Sequence, residues 1–236
     1  MERRDRHGDQ SGDQPGSQPG DKHSNPSGSG QTISVPTGFA NDDGSADQRI
    51  RGASTPDELA EAVLQGRVMV AVVATADEIA DDGSDKSSHM SVVSMVAADG
   101  RRGLLAFSGL DSLTAWNPEA RPVPVTGVDA AKAALDDGCE ALVLDVAGPE
   151  PKVLEEANLV RIAGVDPLDH ASAVLTQILE VALDPGIATS IGVDVDRDSG
   201  RLRLTVPPER AQQISQVIPE RVLALVPAGV ELIPAE

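Results

Sequence analysis

Three closely spaced aspartates form the clearest metal-ligand pattern in the sequence. Asp194, Asp196 and Asp198 alternate with other residues, and carboxylate oxygens are ligands that Ca²⁺ prefers. An EF-hand loop, however, requires Gly at its sixth position and a bidentate Glu at its twelfth, where this chain has Ser199 and Thr205. Strand-like runs flank the segment, so the pattern predicts a solvated hairpin turn and no metal site.

Nucleophilic catalysis requires an activated serine or cysteine beside a base. The histidines are His7, His23, His89 and His170, and the first two fall in a low-complexity segment. No Gly-x-Ser-x-Gly elbow occurs. Cys139 is the only cysteine and precedes an apolar run without a histidine nearby in sequence, which is typical of a residue at the core edge. The sequence predicts no catalytic residue and favours a protein that is not an enzyme.

The composition argues against nucleic acid and nucleotides as partners. The chain has 38 acidic and 19 basic residues, and its aromatic residues are Phe39, Phe107 and Trp116. Single-strand recognition depends on a basic groove and aromatic stacking faces. No glycine-rich phosphate-binding motif follows a predicted strand. We therefore expect no nucleic acid partner and no cofactor.

Several features predict a cytoplasmic protein. Arg3, Arg4 and Arg6 are followed by Gly, Asp, Gln and Pro, and not by the apolar stretch of a signal peptide. No segment reaches the ~18 apolar residues of a membrane span, and a single cysteine allows no internal disulfide. We expect no membrane partner. The strong negative charge would attract cations or basic protein surfaces, or would serve solubility alone.

The predicted fold class is α+β: a mixed β-sheet packed with helices, plus a smaller C-terminal α+β subdomain, behind a disordered N-terminal tail. Residues 1–53 are rich in Gly, Ser, Gln, Asp and Pro and form the predicted tail. The domain predictions are 54–163 for the main domain and 164–236 for the subdomain. Oligomeric state is not readable from this pattern.

Local signals place the elements of the main domain. A helix begins after Thr55 and ends at Gly66, and the unbroken apolar run 68–74 predicts a central strand that is buried on both faces. Residues 75–89 read as a long acidic loop. The other predicted elements are a hairpin of 90–97 and 101–107 turning at Asp99-Gly100, a helix capped by Ser108, at most a short strand at 123–125, a helix from Val128 and a strand at 141–146.

The C-terminal subdomain has its own signals. Asp166-Pro167 begins an amphipathic helix that continues to Ala182. Strand-like runs at 187–195 and 202–206 flank a second hairpin turn. A helix from Pro208, interrupted by Pro219, and a final strand at 230–233 complete the subdomain.

Several short segments of the sequence, taken together, resemble the SseB N-terminal domain family, which is named for enhanced serine sensitivity. The resemblance covers roughly residues 55–163 and rests on the following segments: Asp85-Lys86-Ser87-Ser88-His89-Met90, Asp99-Gly100-Arg101-Arg102, Ala106-Phe107-Ser108, Leu113 to Trp116, Arg121-Pro122-Val123-Pro124-Val125, Ala130 to Leu135 and Leu142 to Gly148. The resemblance implies a bacterial, cytoplasmic α+β protein. It implies no activity, cofactor or catalytic residue.

The same segments suggest a candidate binding surface at one edge of the predicted hairpin, formed by Asp85, Lys86, Ser87, Ser88, Phe107, Ser108 and Trp116. An apolar patch ringed by hydroxyls and charges suits a peptide or partner protein, but Phe107 and Trp116 would also serve as core. The leading hypothesis is a non-catalytic interaction or regulatory protein. The alternative is a small-molecule binding protein or enzyme of amino-acid metabolism.

Overall fold

The computed structural model describes residues 37–39, 41–75 and 89–235. Within these residues the strands form a seven-stranded sheet and a three-stranded sheet, each packed with helices. The fold is therefore of the α+β class, as predicted. The two sheets follow one another along the chain, the second beginning after residue 191.

The larger sheet is mixed and has the strand order β2-β1-β4-β6-β7. β5 also pairs with β1, and β3 also pairs with β4. The pairing of β4 with β6 is parallel and the others are antiparallel. The strands are β1 (Arg67–Thr75), β2 (His89–Val92), β3 (Ser94–Val96), β4 (Arg102–Phe107), β5 (Arg121–Thr126), β6 (Ala141–Leu144) and β7 (Lys152–Glu155).

β1 is buried on both faces, as the apolar run predicts. Val68 and Val70 point to a core formed with α2, α4 and α5, whereas Met69 and Ala71 point to a second core beneath α3. A strand that is packed on both faces of the sheet does not need to alternate apolar with polar residues. The helices of this region are α1 (Gln48–Gly52), α2 (Pro56–Gln65), α3 (Leu110–Trp116), α4 (Gly127–Asp136) and α5 (Glu156–Ala163), after a single 3₁₀ turn at Thr37–Phe39.

Local chemistry explains where these elements begin and turn. The Thr55 side chain accepts a hydrogen bond from the Glu58 amide, and the Glu58 carboxylate accepts one from the Thr55 amide. This capping box satisfies amides that otherwise lack helical partners. Gly100 turns the predicted hairpin at a φ of 89°, a conformation that glycine adopts without strain. The predicted start of α2 and the turn at Gly100 are confirmed. The first arm of the predicted hairpin, however, is two strands, of which β3 pairs with β4 and β2 pairs with β1.

The C-terminal region packs its helices on one face of its small sheet. Its core includes Leu175 and Leu179 of α6 and Leu202 and Leu204 of β9. β8 and β9 form the predicted hairpin, and β10 adds to β9 in parallel. The elements are α6 (Pro167–Ala182), α7 (Pro185–Ala188), β8 (Gly192–Asp196), β9 (Arg201–Val206), a 3₁₀ turn (Pro208–Arg210), α8 (Ala211–Val217), α9 (Glu220–Leu225) and β10 (Val230–Pro234).

The two regions touch at α5 and α6. Val160 of α5 belongs to the C-terminal core, and Arg221 of α9 forms an ion pair of 2.9 Å with Glu140. The proposed boundary between residues 163 and 164 coincides with the end of α5, where Gly164 has a φ of 69°. The division into two domains there stays a prediction.

The folded chain begins earlier than the predicted tail boundary. Residues 1–36 lie outside the described residues, but residues 41–53 pack against the larger sheet. Ile50 of α1 is fully buried in the core, and Arg67 of β1 donates to Asp42. Two buried apolar residues, Ile50 and Ala53, and a few charged contacts anchor this polar segment. The amino-acid composition alone does not predict such contacts.

Four further local expectations need correction. β5 is a full strand paired with β1 over six residues, where the sequence indicated at most a short one. β7 and α5 were not predicted. The run at 187–195 begins as the helix α7 and becomes strand only at Gly192. Gly109, and not Ser108, is the N-cap of α3, because the Ser108 hydroxyl is engaged elsewhere.

Candidate functional site

The structure places the predicted binding residues differently from the surface that was expected. Phe107 and Ser108 are fully buried, and Trp116 is half-buried. The rings of Phe107 and Trp116 lie 5.5 Å apart between centroids, tilted by 36°. Phe107 is thus a core residue, because β4 lies between β1 and β6 and α3 covers its end. Asp85, Lys86, Ser87 and Ser88 lie outside the described residues.

Ser108 joins three distant segments at the carboxyl end of β4. Its amide donates to Asp145 Oδ1 at 2.8 Å, and its hydroxyl accepts from Arg51 Nε at 3.0 Å. Its carbonyl oxygen accepts from Arg67 at 2.7 Å. Every polar group of this buried serine therefore has a charged partner, and such hydrogen bonds are stronger than those between neutral groups.

Asp145 follows β6 directly and has an unusual backbone. Its φ is 53°, the only positive φ outside glycine among the described residues, and the residue is almost fully buried. Aspartate tolerates this left-handed conformation better than most residues. The backbone turns sharply there, and the Gly148 amide closes the turn on the Asp145 carbonyl at 2.7 Å. Such outliers cluster at functional sites.

A cleft of about 270 Å³ opens beside these residues. We name it the carboxyl-end cleft, because it lies where the parallel strands β4 and β6 end, a common location of ligand sites in open sheets. Ala115, Ala147 and Pro149 supply its apolar wall. Its polar lining consists of Arg51, Asp111, Ser112, Asp145, Glu150 and Lys152.

The charges of the cleft are largely paired with one another. Arg51 lies 2.6 Å from Asp111, and the hydrogen bond lowers the pKa of the Asp111 carboxyl below its usual value. Lys152 Nζ donates to the Ala53 carbonyl at 2.8 Å and lies 3.9 Å from Glu150. The side chains of Asp111 and Glu150 are 63% and 80% exposed. The cleft therefore offers its carboxylates, more than its cations, to a partner.

Two groups that could act as nucleophiles, the Ser108 hydroxyl and the Cys139 thiol, are held in unreactive states. The partner of the Ser108 hydroxyl is a guanidinium, which has no lone pair to accept the serine proton. Burial, reinforced by Asp137, raises the pKa of the Cys139 thiol to about 12. Since the thiolate is the nucleophile, Cys139 is inert near neutral pH.

The aspartate pattern after residue 193 forms a turn. Asp196 accepts hydrogen bonds from the Asp198 and Ser199 amides and lies 2.6 Å from Arg203. Across the part of the chain that the structure describes, no group of three or more His, Cys, Asp or Glu side chains is placed to hold a metal ion. Nor does any helix within those residues have the length and apolar character to cross a membrane.

Sequence reasoning identified none of the six polar residues that line the cleft. Arg51 lies in the predicted tail, and Lys152 lies in a strand that was not predicted. Asp145 carried a usable signal, since an aspartate that directly follows a buried strand of a mixed sheet stands where sites form. The sequence did indicate Ser108 and the start of α3.

Comparison with known proteins gives one match. Residues 46–161 match the model of the family described as SseB protein N-terminal domain. No curated protein and no solved structure is significantly similar to the chain. The match begins within the folded segment before α1 and ends in α5, so it includes every described element of the larger sheet. Residues 46–161 of this chain accordingly form an SseB protein N-terminal domain.

Proposed function

We propose that this chain is a non-catalytic binding protein that engages a basic segment of a partner protein at the carboxyl-end cleft. The observation that carries the proposal is that the side chains of Asp111 and Glu150 are 63% and 80% exposed, whereas those of their partners Arg51 and Lys152 are 36% and 18% exposed. The net charge of −19 adds a long-range attraction for a basic partner. Complementary charge of this kind steers association and selects partners.

The unreactive state of Ser108 and Cys139 supports a binding role over catalysis. A buried serine whose hydroxyl is fixed by arginine orders the cleft wall but provides no nucleophile. The left-handed backbone at Asp145 fits a preorganised wall, because a rigid site loses less conformational freedom when it binds.

The test is affinity capture from the source cells with three forms of the full chain. The wild type is compared with Asp111→Lys/Glu150→Lys, which reverses the rim charges, and with the control Asp198→Lys/Glu209→Lys, which changes the same net charge elsewhere. We expect one partner to be recovered by the wild type and the control alone. Its purified form should bind the rim variant at least about tenfold more weakly, or ~1.4 kcal/mol, and should bind all forms more weakly as salt rises.

Equal recovery by all three forms would contradict the proposal. The small-molecule alternative has its own signature, because a ligand at 100 times its dissociation constant adds ~2.7 kcal/mol of stability. A thermal shift with serine or a related metabolite, absent in Asp145→Ala, would favour that alternative.

A further inference from the structure

A second cavity lies between the two regions, near the amino ends of β4 and β6 and thus opposite the carboxyl-end cleft. β7 runs antiparallel to β6, so its last residue, Glu155, lies beside the first residue of β6. α5 begins there, and α6 and α9 cover it. The cavity has a volume of about 590 Å³. Among its lining residues are Leu135, Glu140, Glu156, His170, Ile178 and Arg221.

Glu156 is the unusual residue of this cavity. Its side chain is 9% exposed, and its Oε1 lies 2.9 Å from His170 Nε2. Its other carboxyl oxygen, Oε2, is buried and has no hydrogen-bond partner among the described residues. Buried carboxyl oxygens are almost always hydrogen-bonded. Because Glu156 lines the cavity, an oxygen of this residue that is left without a donor points to a bound molecule that supplies one.

The neighbouring charges define what that molecule would be. Glu140 is paired with Arg221 at 2.9 Å, and Asp137 is paired with Arg102 at 3.0 Å. The two arginines are thus already matched with carboxylates. Glu156 has only a histidine, which is charged only when protonated. The cavity therefore favours a donor that carries positive charge.

The rest of the wall contains the polar side chains of Asp136 and Gln177, but most of it is aliphatic and belongs mainly to α6. Leu135, Val174 and Ile178 line it, and Val181 at the same cavity is 85% exposed. Small-molecule sites usually combine an apolar wall with a small number of polar groups that fix the orientation of the ligand. The wall suits a short hydrocarbon chain and contains no aromatic residue for stacking.

We propose that this cavity binds a small aliphatic ammonium ion, which donates an N–H to Oε2 of Glu156 and places its hydrocarbon part against Leu135 and Ile178. The site is separate from the carboxyl-end cleft, so the inference does not rest on the proposed function. It assigns Glu156 as a ligand-binding residue and His170 as the residue that orients the Glu156 carboxyl.

The test uses n-butylammonium as the probe and ligand-observed NMR of the full chain as the readout. Butanoate, which has a similar chain and the opposite charge, is the matched control ligand. We expect n-butylammonium to bind and butanoate not to bind. The Glu156→Gln variant should lose at least about tenfold in affinity, since the charge of the acceptor is removed. The control Glu209→Gln, at an exposed position outside the cavity, should bind as the wild type does.

Three outcomes would overturn the proposal: no binding of n-butylammonium to the wild type in the millimolar range, equal binding of butanoate, or unchanged affinity in Glu156→Gln. If that variant does not fold, Gln177→Arg replaces it. Gln177 is exposed on α6 and lines the cavity, so its replacement adds a positive charge without disturbing the core. Unchanged affinity in Gln177→Arg would equally overturn the proposal.

Discussion

The two sheets of this protein are covered in different ways, and their sequences differ accordingly. β1 of the larger sheet is apolar at every position from Val68 to Val72, and cores lie against both of its faces. β9 of the smaller sheet alternates: Leu202, Leu204 and Val206 are buried, whereas its other side chains face outward. On that outer face Arg203 pairs with Asp196 and Glu231 at 2.6 and 3.3 Å.

The comparison shows that the apolar pattern of a strand reports how many of its faces are covered. A strand with an unbroken run of apolar residues needs packing partners on both faces of the sheet. A strand in which apolar and polar residues alternate needs them on one face. The two candidate sites also differ in position. The carboxyl-end cleft lies at the carboxyl ends of β4 and β6 in the larger sheet, and the Glu156 cavity lies where the two regions meet. The following predictions test whether the two regions behave as separately stabilised units.

The largest effects are expected from truncating one core residue in each region. Phe107→Ala should lower the free energy of unfolding by ~3–5 kcal/mol, and Leu204→Ala by ~2–5 kcal/mol, because each leaves a cavity in a packed core. Urea denaturation measures the loss, and hydrogen exchange locates it. Phe107→Ala should loosen mainly the larger sheet, and Leu204→Ala mainly β8 to β10. Val181→Ala, at an exposed position, serves as the control, with a change within about 0.5 kcal/mol. Identical exchange patterns in the two core variants would contradict separate stabilisation.

A close approach of two helices predicts the next effect. A Cβ added at Gly127 would lie 1.8 Å from the Val63 carbonyl oxygen, so α4 and α2 could not keep their present separation. Gly127→Ala should lower the free energy of unfolding by ~3 kcal/mol. In the C-terminal region, a Cβ at Gly186 would meet open space. Gly186→Ala should therefore leave the urea midpoint unchanged or slightly higher, and a stable Gly127→Ala protein would show that the helices can separate freely.

Cys139 gives a pH-dependent probe of the first region alone, since the C-terminal region has no cysteine. Its pKa is raised from 9.0 to about 12 by burial. The unfolded thiol therefore ionises at lower pH than the folded thiol. The resulting stability is fully present below pH 9 and is lost as the pH rises from 9 towards 12.

The measurement compares the free energy of unfolding of the wild type and Cys139→Ala across this pH range. We expect the wild type to lose more stability than the variant as the pH rises. Alkylation of the native thiol near pH 8 should be far slower than that of the unfolded chain. Leu204→Ala should leave this alkylation rate unchanged if the two regions open separately. If the free energy of unfolding of Cys139→Ala falls with pH as steeply as that of the wild type, the pH prediction is wrong.

The smallest effects are expected at the helix caps. Thr55 caps α2 in the first region, and Asp166 caps α6 in the second by accepting from the Leu168 and Asp169 amides. Thr55→Ala and Asp166→Ala should each cost ~1 kcal/mol. Hydrogen exchange should place each loss at the start of its own helix. Thr176→Ala, at an exposed position within α6, is the control. If it lowers the free energy of unfolding as much as the cap variants do, the losses are not due to capping.

Elements with strong local signals were predicted correctly, and those without them were not. α2, the Asp99-Gly100 hairpin and α6 depend on caps, turns and periodic apolar residues that act over a few positions. β5 was underestimated because Pro122 and Pro124 usually exclude a strand. Among the described strands β5 pairs only with β1, and an edge position tolerates residues that donate no hydrogen bond.

Phe107, Ser108 and Trp116 are not among the residues that line the carboxyl-end cleft. Ser108 contacts two residues that do line it, Arg51 and Asp145, but the exposure expected of Phe107 and Ser108 does not occur. Burial depends on which strands flank β4, and that order is not encoded in the hairpin itself. Glu156 gave no signal, because an acidic residue at the start of a helix is usually solvated, whereas this one is buried and contacts His170 of α6.

The sequence by itself determined the fold class, the SseB-type character of residues 46–161 and the order of the main helices and strands. These properties follow from interactions between residues that are close along the chain. The tertiary structure alone decided that Arg51 reaches Ser108, 57 positions away, and that Asp145 turns beneath it. Such contacts depend on the parallel pairing of β4 with β6, which is fixed by the packing of the whole sheet and not by any local preference.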